Sequence, residues 1–128
     1  MMMNQAEALR FCGEWLPAWT GNRPEALMAY YAGDAFYLDP AKPEGLRGHG
    51  QMLPYFRKLL AANPDWRWRA LEAMPTERGF TLKWEALVPL QGENLTIRGL
   101  DVVEIADGKI TRNEVYFDRA EWIARLKK

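Results

Sequence analysis

The chain has 128 residues, of which 48% are hydrophobic and 27% charged, and these values fit one globular domain over residues 1–128. They exclude a disordered, collagen-like or coiled-coil protein. Basic and acidic residues number 17 each, so the chain has no net charge and a nucleic-acid partner is not expected. Neutrality also favours association between copies of the chain.

Residue types that bind metals or form disulfides are scarce. Cys12 is the single cysteine, which excludes an intramolecular disulfide, and with one histidine, His49, a zinc site of the usual kind is not expected. The N-terminus has no signal pattern, and no apolar run approaches the roughly 18–20 residues that span a bilayer. We therefore expect a cytoplasmic protein with no membrane contact, no metal and no cofactor. Aromatic residues form 12% of the chain and must fill the core or line a cavity.

The first half of the chain predicts helices and one strand. Apolar residues at helical spacing predict a helix from Gln5 to about Leu16, which Pro17 ends or kinks. A short second helix begins around Pro24 and reaches Tyr31. A strand over residues 35–39 follows, then a Pro- and Gly-containing loop over residues 40–45. A third helix starts near residues 48–50 and ends at Asn63-Pro64.

The second half of the chain predicts strands and a final helix. Alternating apolar residues predict strands over residues 66–74, 80–90, 95–106 and 109–117. Asp107-Gly108 is a strong hairpin signal, and the four strands are expected to form an antiparallel meander. Asp118 and Glu121 predict a capping box for the last helix, with Phe117 and Trp122 as a hydrophobic staple. This order predicts an α+β fold, with helices on one side of a curved antiparallel sheet.

Asp101 is the most informative candidate for chemistry. By alternation its side chain shares one strand face with four aliphatic residues. These are Leu95, Ile97, Val103 and Ile105. Ionising a carboxyl on an apolar face is costly, so the pKa of Asp101 should rise and the group becomes a candidate proton donor or acid–base residue. The alternatives are a bulge that turns Asp101 to solvent, or an ion pair with Arg98 or Arg112.

Asp39 is the second candidate carboxyl. It ends the first predicted strand before Pro40 and shares a face with Tyr37. At that position it can overhang a pocket mouth as a general base, whereas the ordinary role of an Asp-Pro pair is to begin a turn. Trp15, Tyr37 and Trp84 are candidate pocket walls, although an aromatic stripe on a helix is more often core.

Three further polar residues have two interpretations each. Lys83 and Glu85 lie on one face of a strand whose other face is apolar. They form an exposed pair across strands, or they orient substrate or water if that face lines the cavity. His49 opens the third helix, either at a pocket rim where it titrates or simply at the surface.

Two stretches of the sequence carry a resemblance to a known superfamily. The first is Tyr37-Leu38-Asp39-Pro40 with Leu46-Arg47-Gly48-His49-Gly50. The second is Gly99-Leu100-Asp101-Val102-Val103 with Asp107-Gly108-Lys109-Ile110 and Tyr116-Phe117-Asp118. The chain resembles the nuclear transport factor two-like superfamily, which includes ketosteroid isomerases, SnoaL-like polyketide cyclases and limonene epoxide hydrolase. The resemblance implies a single SnoaL-like, cystatin-like cone: a strongly bent antiparallel sheet wrapped around the N-terminal helices. It also implies an apolar pocket and a homodimer.

The comparison with the isomerases implies roles for the two aspartates. Asp39 matches their general-base aspartate, and Asp101 falls close to their protonated aspartate, which donates a hydrogen bond. Their tyrosine donor on helix one falls near Glu14 or Trp15, where this chain has no tyrosine.

Other members of the superfamily point to the later strands. Lys83-Trp84-Glu85 falls where the epoxide hydrolase has an Arg-x-Asp pair, and its second catalytic aspartate falls on Val115. The cyclases commonly carry a histidine or acidic residue on the last strand, for which Asn113 and Glu114 are the nearest candidates.

Two functions from different classes follow from these observations. The first is a cofactor-free isomerase or cyclase that acts beside a carbonyl of a small apolar molecule. Asp39 would remove a proton next to the carbonyl, and protonated Asp101 would donate a hydrogen bond to the developing oxyanion. The alternative is a non-catalytic module that binds a small apolar ligand or serves in dimerisation. Whether the chain is an enzyme stays open at this point.

Overall fold

The structure is a computed structural model that describes residues 2–126, in which helices pack against one six-stranded sheet. The α helices are α1 (Gln5–Trp15), α2 (Pro24–Met28), α3 (His49–Ala62) and α4 (Ala120–Leu126), and a 3-10 helix (Leu16–Trp19) follows α1 directly. The strands are β1 (Tyr31–Asp39), β2 (Lys42–Arg47), β3 (Arg67–Pro75), β4 (Gly79–Leu90), β5 (Glu93–Ala106) and β6 (Lys109–Tyr116). Within this part of the chain, no helix is long and apolar enough to cross a membrane.

The first helix is fixed at both ends by local chemistry. The Asn4 side chain accepts from the Glu7 N–H, and the Glu7 side chain accepts from the Asn4 N–H, which makes a capping box. Helical structure continues past Pro17, because this residue lies in the first turn of the 3-10 helix, where no N–H is required. The buried face of α1 packs against β3.

The N-terminal strands differ from the prediction in two places. Helix α2 ends at Met28, and Tyr31 begins β1, so Tyr31 is a strand residue and not the end of a helix. The predicted loop over residues 40–45 is wrong, because β2 pairs with β1 across a tight turn, with Asp39 opposite Lys42. β2 is an edge strand and pairs on one side only, a position where the sheet tolerates Pro43.

The sheet order is β2-β1-β6-β5-β4-β3, so the predicted meander of the last four strands is confirmed. The sheet is curved and unclosed, and the α+β class is confirmed. One pairing was not predicted: β1 lies parallel to β6, while the other neighbours are antiparallel. The long connection through α3 and the meander brings β6 back beside β1, in the same direction.

The last helix covers one end of the fold. The Asp118 side chain accepts from the Ala120 N–H at 2.9 Å, and the Phe117 ring stacks on Trp122 with centroids 6.2 Å apart. These contacts agree with the predicted cap by Asp118 and with the predicted staple. The second half of the predicted capping box, a bond from the Asp118 N–H to Glu121, does not occur among the hydrogen bonds of residues 2–126. The Glu121 carboxylate accepts from Arg125 at 3.2 Å. No described residue of α4 is fully buried, so this helix lies on the fold as a cover and is not part of the core.

Candidate functional site

A cavity of about 230 Å³ lies between the inner face of the sheet and the covering helices. Three charged side chains contribute to its lining among residues 2–126: Asp39, Asp101 and Arg119. Half of the remaining lining residues are aromatic. The aromatic residues are Trp19, Tyr37, Tyr55, Trp66, Trp68, Trp84, Phe117 and Trp122.

Five of these aromatic residues form a closed cycle of ring contacts, which we call the aromatic wall. Its members are Trp66, Trp68, Trp84, Phe117 and Trp122, and neighbouring centroids are 4.7–6.2 Å apart. Four of the five neighbouring pairs are steeply inclined, at 68–85°, and Phe117 with Trp122 is stacked at 28°. The edge-to-face contacts stabilise the rings against one another and leave a rigid apolar surface.

Asp101 lies on the inner face of β5 and is 4% exposed. Trp84 Nε1 donates to its Oδ1 at 2.7 Å, and Asn113 Nδ2 donates to its Oδ2 at 3.0 Å. The Tyr31 hydroxyl donates to Asn113 Oδ1 at 2.8 Å, which orients the amide so that its NH₂ faces Asp101. The carboxyl group is therefore held by two N–H donors and has no ion-pair partner among residues 2–126.

Burial raises the pKa of Asp101 to about 7, against the opposing effect of the hydrogen bonds from Asn113 and Trp84. The negative charge of Asp39 raises this pKa further. The direction is the one that the apolar strand face predicts. A bulge does occur in the pairing of β5 with β6, but at Glu104/Ile105, beyond Asp101. The two predicted alternatives, a solvated Asp101 or an ion pair with a neighbouring arginine, are therefore wrong.

Asp39 is buried and lines the same cavity, but its oxygens are already occupied. The hydroxyls of Tyr37 and Tyr55 donate to Oδ2 at 2.8 and 2.6 Å, and the N–H groups of Ala41 and Lys42 donate to Oδ1 at 2.9 and 3.0 Å. A carboxylate offers about four lone-pair positions, so all of them are filled. The turn that Asp39 makes with Pro40 is the one that the sequence suggested as the ordinary alternative.

The two tyrosines beside Asp39 keep their protons. Burial raises the pKa of both hydroxyls, and the charge of Asp39 raises each further. Tyr37 and Tyr55 therefore stay donors to Asp39 over the ordinary pH range. This leaves Asp101 as the carboxyl in the cavity wall with lone pairs still open to a ligand.

Three other predicted site residues lie at different depths. Val115 lines the cavity beside Asp101, its partner across β5 and β6. Trp15 is fully buried behind Trp19, with ring centroids 6.4 Å apart, and does not reach the lining. His49 lies at the start of α3, where its Nε2 is 2.9 Å from the Tyr31 carbonyl oxygen, outside the lining.

The structure places Lys83 and Glu85 on the outer face of β4, away from the cavity. Glu85 accepts from Arg69 at 2.9 Å and from Arg98 at 3.1 Å. Both residues therefore take the surface role that the sequence left as one of two interpretations. Glu114 also pairs with an arginine, Arg112, and does not line the cavity.

Several lining residues were not predicted. Tyr55, Arg119 and Trp122 reach the cavity from α3 and the C-terminal segment. Trp66 and Trp68 carried a usable signal, because their i, i+2 spacing puts both rings on one strand face. For Tyr55 and Arg119 no local pattern indicates a cavity.

The sequence model of the SnoaL-like domain matches residues 13–113, so the chain belongs to the SnoaL-like family. Curated proteins give no match to this sequence. Among solved structures, a protein from Catenulispora acidiphila with a ketosteroid isomerase-like fold, in complex with trimethylamine, is similar at 20% identity. Its TM-score is 0.78, and the alignment covers 90% of each chain.

Two other solved structures share the fold. AclR, a putative hydroxylase from Streptomyces galilaeus, is 16% identical with a TM-score of 0.76, covering 97% of this chain and 98% of AclR. TerC, co-crystallised with polyporic acid, is 15% identical with a TM-score of 0.78, covering 94% of this chain and 98% of TerC. At these identities the likeness establishes the architecture and not the reaction.

Proposed function

We propose that this protein binds a small apolar molecule in the aromatic cavity and moves a proton next to a carbonyl of that molecule, as a cofactor-free isomerase or cyclase. One observation carries the proposal: Asp101 is a buried carboxyl in the cavity wall whose pKa is about 7. An acid–base group works best when its pKa lies near the operating pH, because both protonation states are then populated.

The proton transfer needs no second carboxyl. Ionised Asp101 removes a proton from the carbon next to the carbonyl, and the electron pair of the broken C–H bond moves into the enolate. The protonated Asp101 then delivers the proton to a conjugated carbon, which completes an isomerisation. If Asp101 first exchanges this proton with solvent and returns the solvent proton to the original carbon, the result is an isotope exchange. The hydrogen bonds from Trp84 and Asn113 hold the carboxyl in place during both steps.

Both aspartates have different parts in this proposal from those that the resemblance implies: Asp101 is the base instead of a protonated donor, and the base is no longer Asp39. Its four acceptor positions are occupied, which favours a positioning role over proton removal. It holds Tyr37 and Tyr55 in the cavity wall and adds negative charge near Asp101.

The non-catalytic alternative has its own support. With Asp39 saturated, Asp101 is the single carboxyl of the described lining that has lone pairs open to a ligand. The complexes of the Catenulispora protein with trimethylamine and of TerC with polyporic acid also support small-molecule binding by this fold. The homodimer stays a prediction, supported by the exposed apolar pair Leu100 and Tyr116 on the outer sheet face.

The experiment is hydrogen–deuterium exchange of 2-tetralone, a bicyclic ketone, followed by NMR in D₂O with calorimetry as the binding readout. We expect the protein to accelerate exchange, with an apparent pKa near that of Asp101. Asp101→Asn should lower the rate by about 100-fold or more. Asp34→Asn, at an exposed position on β1, is the matched control and should leave the rate unchanged. Binding without exchange would favour the non-catalytic module, and no binding would refute both functions.

A further inference from the structure

We propose that the ligand of this cavity is a one- or two-ring aromatic anion, whose acidic group pairs with Arg119 while its rings lie against the aromatic wall. This inference rests on the proposed function and narrows its ligand class. The proposed function names only a small apolar molecule, and this inference specifies that the molecule carries an acidic group beside Arg119. The argument depends on the size of the cavity, the nature of its walls and the balance of charge in its lining.

Arg119 is the one cation of the described lining, and it is half-buried just before α4. It makes no ion pair and no side-chain hydrogen bond with any residue of the described chain, whereas Arg125 of the same segment pairs with Glu93 and Glu121. Its charge lowers the pKa of the Tyr55 hydroxyl against the larger effect of burial, so the guanidinium acts on that side of the cavity.

Asp39, the neighbouring carboxylate of the lining, makes no ion pair with Arg119 among the described contacts. Tyr37, Tyr55 and two backbone N–H groups fill the four acceptor positions of that carboxylate. The five N–H donors of a guanidinium match a carboxylate, which they bind in a bidentate manner. The lining therefore presents a half-buried cation that has no partner among residues 2–126 and is suited to an anionic ligand.

The volume of the cavity limits the size of the ligand. An apolar protein cavity of about 150 Å³ holds benzene, so 230 Å³ has room for about ten non-hydrogen atoms. Ten atoms correspond to a naphthalene-sized ring system. A flat aromatic ligand also suits a cavity with aromatic walls, because its rings can make offset and edge-to-face contacts with Trp68 and Trp84.

The charge balance decides between an anion and an organic cation. Aromatic cages attract ammonium groups, so the aromatic wall alone would fit a methylated amine as well. Arg119 in the same lining repels such a ligand. Asp39 attracts it through its charge, but the four oxygen positions of Asp39 are already filled, whereas Arg119 still offers its donors to an acidic group. Asp101 near neutral pH is partly uncharged, which reduces its repulsion of an anion.

The test is isothermal titration calorimetry at pH 6 with three probes that share one ring and have no more than about ten non-hydrogen atoms: benzoate, acetophenone and trimethyl(phenyl)ammonium. We expect the wild-type protein to bind benzoate about tenfold more tightly than the neutral ketone, with the ammonium weakest. Arg119→Gln should abolish the preference for the acid, because it weakens binding of the acid far more than binding of the ketone. Arg119→Lys should keep part of the preference, and the matched control Arg125→Gln should keep all of it.

Three results would overturn the inference, and they separate it from the proposed function. Equal affinity for acid and ketone in the wild-type protein removes the role of Arg119 but leaves an apolar ligand for Asp101. Tightest binding of the ammonium probe assigns the aromatic wall to organic cations instead. If none of the three probes binds, both the ligand class and the proposed function fail.

Discussion

Replacing Asp101 by asparagine tests the buried carboxyl directly, through the dependence of stability on pH. The pKa of Asp101 is about 7 in the folded protein and about 4 in an unfolded chain. Between these values the folded state holds a proton that the unfolded state has released. The free energy of unfolding therefore falls as pH rises, by about 1.4 kcal/mol per pH unit. The contribution is complete below pH 4 and is lost once the pH passes 7.

From pH 5 to pH 9 the wild-type protein should lose about 3 kcal/mol from this one group, since about two pH units lie between pH 5 and the folded pKa. Asp101→Asn does not titrate, so the variant avoids this loss. It has a constant cost of about 1–3 kcal/mol, because its NH₂ faces one of the donors, Trp84 or Asn113. At high pH the variant should therefore approach or exceed the wild-type stability.

Urea unfolding of both proteins at pH 5, 7 and 9 measures this difference. NMR titration of the side-chain carboxyl carbons supplies an independent check, because the Asp101 signal is assigned by its loss in the variant. Parallel stability curves for the two proteins between pH 5 and 9, or an Asp101 signal that titrates near pH 4, would refute the reasoning.

Two further predictions concern the residues around the cavity. Gly99→Ala should destabilise the protein by about 2 kcal/mol in urea unfolding, since a Cβ there would lie 2.4 Å from Trp84 Cζ2. The matched control is Gly13→Ala in α1, where the new Cβ would meet nothing within 4 Å, and it should raise the free energy of unfolding by about 0.5–1 kcal/mol. Equal effects of the two changes would contradict this account. Asp39→Asn should cost roughly 2–4 kcal/mol, because the single amide oxygen can accept from only two of the four donors. An unchanged thermal midpoint for this variant would mean that the four bonds are not formed in solution.

The face on which Asp101 lies could be predicted from the sequence alone. Side chains alternate with a strict period of two, and no bulge occurs from Leu95 to Val103, so alternation holds over that stretch of β5. It continues to Ile105, which pairs with the buried Ile110 and packs against the core. The extra residue of the bulge, Thr111, lies on β6, where the buried side chains of Ile110 and Asn113 are three residues apart. Local periodicity is reliable only where the register is continuous.

The first hairpin could not be predicted in the same way. Pro43 and Gly45 are typical of loops, and nothing within residues 42–47 shows that a partner strand lies beside them. β2 exists because β1 offers it hydrogen bonds on one side. Strand formation at a sheet edge is decided by pairing, not by intrinsic preference.

The hydrogen bonds of Asp39 are partly local in sequence and partly tertiary. Its bonds to the N–H groups of Ala41 and Lys42 belong to the turn that an Asp-Pro sequence favours, and Tyr37 is its neighbour on one strand face. The bond from Tyr55 comes from α3 and depends on how that helix packs on the sheet. That contact completes the saturation of Asp39 and changes its expected role from base to positioning group.

The sequence by itself determined the class of fold, the meander and the apolar setting of Asp101, because these follow from residue periodicity and turn chemistry over short stretches. The tertiary structure decided which side chains share the cavity. Arg119 and the rings of the aromatic wall come from β3 and the residue before it, from β4 and from the C-terminal segment, and they meet only after the sheet curves and α4 covers it. Contacts between residues far apart in the chain leave no periodic signal, and the charge balance of the cavity depends on those contacts.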